Sequence, residues 1–215
     1  MKSFKLLLIA VLFFSVSCSK FDVFNKEPES IKFTQTNLFP EGVVYDPFNN
    51  YFLVSSIIRG DIGKVTKDGT YTPFVTDDAL VSSIGLEIDK TRKRLLVANS
   101  RRGASMAQLA IYDLNTGVRI NLVDLGALLP GAAHFANDIA VDAQGNAYIT
   151  DSNSPVIYKV DLQGNVSIFF TDPEFATAAG QIGFNGIEYH PDGFLLVAFS
   201  LRNQLVKIPF SKTSA

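Results

Sequence analysis

After residue 30 the apolar positions fall in short runs broken by turn residues. No stretch repeats them at the 3.6-residue spacing of a long amphipathic helix. Four of these stretches are alike. Glu41-Gly-Val-Val-Tyr-Asp46 precedes Tyr51-Phe-Leu-Val-Ser-Ser56, and Ile84-Gly-Leu-Glu-Ile-Asp89 precedes Arg94-Leu-Leu-Val-Ala-Asn-Ser100. The third pair is Asn137-Asp-Ile-Ala-Val-Asp142 with Ala147-Tyr-Ile-Thr-Asp-Ser152, and the fourth is Asn185-Gly-Ile-Glu-Tyr-His190 with Phe194-Leu-Leu-Val-Ala-Phe-Ser200. Asp142-Ala-Gln-Gly-Asn146 and His190-Pro-Asp-Gly193 supply the Gly and Asp that hairpin loops require. Third strands are predicted at 62–66, 108–114, 156–161 and 204–208. Turns at 67–70, 115–117 and 163–165 open a fourth strand in three of the units.

The equivalent residues Gly42, Gly85, Asp138 and Gly186 are 43, 53 and 48 positions apart. That is the blade period of a β-propeller. The expectation is therefore an all-β chain with blades near 41–76, 84–125, 137–171 and 185–210, the last with three strands. Residues 30–36 read as a spare strand at the front, placed to close a ring by joining the last blade. Short helical turns are expected near 127–129 and 173–178.

The first residues read as an address. Lys2 and Lys5 precede an apolar run at 6–16, too short for a bilayer that needs roughly 20 residues. The run ends in Phe13-Phe-Ser-Val-Ser-Cys18-Ser19, which resembles a bacterial lipoprotein signal with Cys18 as the lipidated residue, although Ser15 stands where that signal usually has Leu. Cys18 is the only cysteine, so no disulfide forms within one chain. The expectation is export with a signal at 1–17, a tether at 18–29, and a lipid anchor holding the rest to a membrane of the bacterial cell envelope.

Composition adds little to this picture. At 47% hydrophobic residues the chain can fill a core, and eighteen Phe and seven Tyr suit half-buried sheet surfaces. A formal charge of −2 gives no basic footprint for nucleic acid.

The motifs at 40–46, 137–142 and 185–193 resemble the gluconolactonase, senescence-marker-protein and regucalcin superfamily, which is similar in turn to paraoxonase, diisopropylfluorophosphatase and strictosidine synthase. The resemblance implies an ancestral six-bladed ring of which this chain holds about four blades, as an open arc. It also implies calcium or another divalent ion on the propeller axis, held by Glu41, Asn137 and Asn185. The first residues of the inner strands converge there, and their oxygens suit a hard cation. Two departures stand out. The family's last axial Asp, which opens a fifth blade, has no counterpart up to Ala215, and Phe135 occupies a place where sugar-lactone members often carry Arg. The second departure argues against a polar sugar acid as substrate.

Plain structural readings stand beside these. Asn137-Asp138 and Asn185-Gly186 are ordinary turn dipeptides, and Glu41 could be a solvated loop acid. His134 is a weak candidate for proton relay and otherwise a solvated loop side chain. His190 reads as structural. Arg92, Arg94, Arg101 and Arg102 read as solvated. No nucleophile elbow, phosphate loop, zinc spacing or dinucleotide fingerprint occurs. Two functions remain in view: metal-dependent hydrolysis of a small lactone or ester, and a non-enzymatic module that binds an envelope glycan, peptide or protein. The leader yields the first test. Cys18→Ala should release the protein from membranes or leave it as precursor, read by palmitate labelling and fractionation. Normal processing with unchanged membrane retention would refute lipidation.

Overall fold

The computed structural model describes residues 30–101 and 105–212. The export signal at 1–17, Cys18 and the tether at 18–29 lie outside the described residues. From Ile31 onward the chain is one compact unit.

Blade 1 comprises β1 (Val43–Asp46), β2 (Tyr51–Val54), β3 (Ile62–Val65) and β4 (Tyr71–Val75). Blade 2 comprises β5 (Ser83–Asp89), β6 (Arg94–Ser100), β7 (Ala107–Asp113) and β8 (Arg119–Asp124). Blade 3 comprises β9 (Ala136–Val141), β10 (Ala147–Asp151), β11 (Val156–Val160) and β12 (Val166–Thr171). Blade 4 holds β13 (Phe184–His190), β14 (Phe194–Phe199) and β15 (Gln204–Pro209). Each sheet is an antiparallel meander in chain order. Short 3-10 turns at Gly126–Leu128 and Pro173–Phe175 occupy the two long connections, close to where the sequence suggested them.

The hairpins between first and second strands share one chemistry. The Asp46 carboxylate accepts the N–H groups of Phe48 and Asn49, Asp89 accepts that of Arg92, and Asp142 accepts that of Asn146. His190 does the same through Nδ1, accepting the Asp192 N–H at 3.2 Å, with its ring stacked on Phe194. Such side chains close the turn locally, which is why the repeat carries Asp at this place.

The core lies between the blades. Along each strand alternate side chains serve successive layers. Leu95 and Val97 face blade 1 in one cluster with Leu53, Ile62 and Leu86, whereas Leu96 and Ala98 face blade 3 with Leu109, Ile139 and Ile149. Tyr148 and Ile157 then pack against Ile187, Leu195 and Val197 of blade 4. The other face of blade 4 is bare. Leu196 and Leu205 are 36% and 72% exposed, whereas their equivalents Leu53, Leu96, Ile62 and Leu109 are fully buried. Inner strand β1 packs beside β5, β5 beside β9, and β9 beside β13, giving an open arc of four blades.

Two expectations are corrected here. Residues 30–36 form no strand and do not join blade 4. Ile31 and Phe33 instead pack with Leu38 on blade 1, against Val54, Val65 and Tyr71, because that front face has no preceding blade to cover it. The Phe33 and Tyr71 rings stack at 6.0 Å. Nor are Arg92 and Arg94 simply solvated. Arg94 pairs with the buried Asp89 at 2.7 Å and donates to Gly145 O at 3.0 Å, and Arg92 donates to Gln144 O at 2.6 Å. The two guanidinium groups clamp blade 2 to the turn of blade 3. Burial opposes ionisation of Asp89, but the hydrogen bonds and charges of these arginines outweigh it and hold its pKa low.

Near the axis the blades are joined by hydroxyl groups. Ser55 Oγ accepts Gly42 N–H at 2.7 Å and donates to Ile84 O at 2.8 Å. Ser100 Oγ donates to Ala136 O at 2.9 Å. Thr150 Oγ1 accepts Asp138 N–H at 3.1 Å and donates to Asn185 O at 2.7 Å, and Ser152 Oγ donates to Phe184 O at 2.6 Å. Thr150→Val would strip two backbone groups of their partner and should cost about 2 kcal/mol. Leu205→Ser, on the bare face, should change stability by no more than about 0.5 kcal/mol. Urea unfolding checks both, and equal midpoints for the two variants would deny the hydroxyl bridges a role.

Candidate functional site

The starts of the inner strands approach one another closely. A Cβ at Gly42 would lie 2.3 Å from Ile84 O, and one at Gly85 would lie 2.5 Å from Asn137 O and 2.6 Å from Asp138 Oδ1. Glycine is what the backbone contact permits. The approach leaves a cavity of about 200 Å³ lined by Glu41, Asn137, Asp138 and Asn185 together with the glycine backbone. The three side chains singled out in the sequence thus line one cavity. Glu41 does so from the loop two residues ahead of β1 rather than from the strand, and Asn137 and Asn185 sit on β9 and β13.

Asp138 was not recognised from sequence as a site residue. The available signal was its place in the repeat, where the other three blades have glycine. Its Oδ2 accepts Ile187 N–H of blade 4 at 3.1 Å. Burial raises its pKa, and Glu188 raises it further against the pull of the backbone donors. Glu41 is also raised, by desolvation of its carboxyl and then by the charge of Asp138. Further along the inner strands Glu87 is pushed up to about 7 by burial, with Glu188 and Asp138 adding to it. The axis therefore concentrates negative charge that is poorly solvated.

The Asn137 amide has a defined orientation. Ser152 Oγ spends its proton on Phe184 O, so it can only accept from Asn137, and it does so from Nδ2 at 2.9 Å. The Asn137 Oδ1 is left as an acceptor. Oxygen donors from Glu41, Asp138, Asn137 and Asn185 form a set suited to a hard cation. Among the described residues no group of three or more His, Cys, Asp or Glu side chains is close enough to hold a metal. The amides would have to complete any coordination.

A second cavity, of about 640 Å³, adjoins the first at Asn137, which lines both. Phe135, Ser152, Asn153 and the 177–182 loop form its walls.

His134 lies in neither cavity wall described above and is not solvated. The ring is 3% exposed. Nδ1 lies 2.9 Å from Asp151 Oδ2 and Nε2 lies 3.0 Å from Leu129 O, so both nitrogens face acceptors and both are best protonated. The hydrogen bond that His134 donates to Asp151 chiefly raises the His134 pKa, against desolvation, with Leu129 O and Asp124 contributing. Asp151 also accepts Tyr158 OH and the N–H groups of Phe135, Asn153 and Ser154. A side chain engaged in this way positions the wall of the larger cavity and has no free edge for proton relay. The sign of its pH effect follows. A pKa raised on folding means stability present in full below the unfolded value of about 6.5 and lost as pH rises through the folded value. The melting temperature should accordingly fall from pH 6 towards pH 9 more in the native chain than in His134→Phe, measured by calorimetry. Parallel curves would mean that no imidazolium is buried there.

With this geometry in view the chain was compared with known proteins. A family model described as SMP-30/gluconolactonase/LRE-like region matches residues 39–215. No curated protein sequence matches. Among solved structures it is similar to a streptogramin B lyase at 14% identity and a TM-score of 0.61, covering 83% of this chain and 54% of that one. It is also similar to a protein provisionally assigned as a gluconolactonase, at 16% identity and a TM-score of 0.59, covering 81% and 60%. A Bacteroides thetaiotaomicron protein of unknown function gives 14% identity and a TM-score of 0.60, covering 79% and 41%. At such identities these likenesses establish the propeller fold alone. The chain spans little more than half the length of the first two.

Proposed function

The chain belongs to the SMP-30/gluconolactonase/LRE-like family, and we propose that it is a lipid-anchored envelope protein whose axial cavity binds a divalent cation, calcium foremost, and hydrolyses a lactone or related ester. The observation that carries this reading is the meeting of Glu41, Asn137, Asp138 and Asn185 in one cavity. The fit to a cation rests on two features. The charge of Asp138 adds to the burial that raises the Glu41 pKa, a repulsion that a bound cation relieves, and the Asn137 amide is locked with its oxygen free.

In this reading Glu41, Asn137 and Asn185 hold the ion. When bound, it polarises the substrate carbonyl and stabilises the negative charge that develops on its oxygen. Water adds to the carbonyl carbon, the ring C–O bond breaks, and a hydroxy acid leaves. Asp138 takes the proton from the attacking water and gives it to the ring oxygen as the C–O bond breaks. Its raised pKa makes it a better base than an exposed carboxylate, and its Oδ2 is steadied by Ile187 N–H. Lipidation at Cys18 would hold the activity at a membrane surface.

A second reading, a module that binds an envelope glycan or protein without chemistry, is favoured by the lack of a three-acid group among the described residues. Calcium titration and a pH-stat assay with simple lactones separate the two. At a hundred times its Kd, calcium should stabilise the fold by about 2.7 kcal/mol. Glu41→Gln should weaken calcium binding at least tenfold, and Asp138→Asn should abolish hydrolysis. Tight calcium binding that Glu41→Gln leaves unchanged would overturn the ligand set. Binding without hydrolysis of any lactone or ester would favour the second reading.

A further inference from the structure

The larger cavity carries an inference about substrate class, which rests on the reading of the adjoining axial cavity as the place of hydrolysis. None of the described residues that line it is charged. Its apolar wall comes from Phe135, Ala178, Ala179 and Ile182. Its polar side chains are occupied in part within the protein, and the Asn137 oxygen stays open. Ser152 Oγ and Asn137 Nδ2 serve each other and Phe184 O. Gln181 Oε1 accepts Ala178 N–H at 2.9 Å, and Asn153 Nδ2 donates to His134 O at 3.4 Å. An anionic ligand group entering this space would find no cation and a hydroxyl would compete for a small set of open groups, whereas an alkyl or aryl group gives up no hydrogen bond and meets the apolar wall. At about 640 Å³ the space is of the size of ordinary ligand pockets.

We propose that this cavity is a subsite for an uncharged apolar substituent, so that the substrate is a lactone or ester bearing a medium-length alkyl or aryl group rather than a polyhydroxylated or anionic one. Asn137, shared by both cavities, marks the junction where the reacting carbonyl lies. Phe135 decides the specificity. Its ring packs on the core between blades 2 and 3 and lines the cavity, and its N–H is held by Asp151 at 2.8 Å, so the wall is preformed.

Binding can be tested apart from chemistry with lactams, which resist hydrolysis. Calorimetry on the full chain should give an affinity at least about tenfold tighter for a γ-lactam with a medium-length alkyl chain than for a polyhydroxylated lactam. Phe135→Arg should remove that preference. Because Phe135 is partly buried, a second variant guards against misfolding. Ala179→Trp, at an exposed loop position, should fill the cavity and lower the alkyl-lactam affinity about tenfold or more with an unchanged melting temperature. Equal affinities for the two lactams, or an Ala179→Trp variant that binds as the native chain does, would overturn the subsite, even if lactones are hydrolysed. Alkyl-lactam binding with the expected variant effects, in a protein that hydrolyses neither class of lactone, would uphold the subsite and defeat the hydrolytic reading instead.

Discussion

Neighbouring inner strands in this protein run in contact, backbone against backbone, and most of the structure follows from that contact. With Ile84 O where a Cβ of residue 42 would be, and Asn137 O where a Cβ of residue 85 would be, each blade must open with glycine or find another place for its side chain. Carbonyls brought so close are removed from water and need donors. The second strand of the preceding blade, or the residue just past its end, supplies them as Ser55, Ser100, Thr150 and Ser152. The same closeness narrows the axis until a loop acid of blade 1 and amides of blades 3 and 4 line one small cavity.

Asp138 is where this scheme is broken, and the break sets the electrostatics of the axis. A carboxylate in place of glycine reaches between Gly85 and Gly186, takes an N–H from blade 4, and raises the pKa of Glu41 beside it. Unrelieved negative charge in a poorly solvated channel destabilises the fold, and such local cost is typical of sites kept for function. Around it blade 3 is densely hydrogen-bonded. Five hydrogen bonds converge on Asp151, from His134, Tyr158 and three backbone N–H groups, and they hold Phe135 and Asn153 in the wall of the larger cavity. The small charged cavity and the large neutral one thus share a single framework, with Asn137 at their boundary.

The arc also shows how a propeller layer depends on its neighbour. Side chains of blades 2 and 3 alternate between two apolar layers, and each is buried because a further blade stands on either side. Residues 31–38 stand in for the missing neighbour at the front of blade 1. Blade 4 has no such cover on its outer face, where Leu196 and Leu205 lie beside Glu188 and Lys207.

Much of this was legible without coordinates. Strand alternation, Asp- and Gly-bearing turns and the repeat period are local properties, so residues 41–210 announced about four blades. The family resemblance pointed to Glu41, Asn137 and Asn185, and their like places in the repeat agree with a meeting at the axis. Contacts between blades could not be read this way. Arg94 finds Gly145 across 51 positions, His134 finds Asp151 across 17, and Asp138 finds Ile187 across 49. Each of those side chains looked like an ordinary loop or turn residue. Ile31 and Phe33 alternate as a strand would, yet an uncovered apolar face took them before any strand edge did. The sequence by itself determined which segments pair with their neighbours in the chain, since a turn and a two-residue period suffice for that. Only the tertiary structure decided which polar groups lost water and what partners they then required, because burial is a property of the stacked blades and not of any one of them.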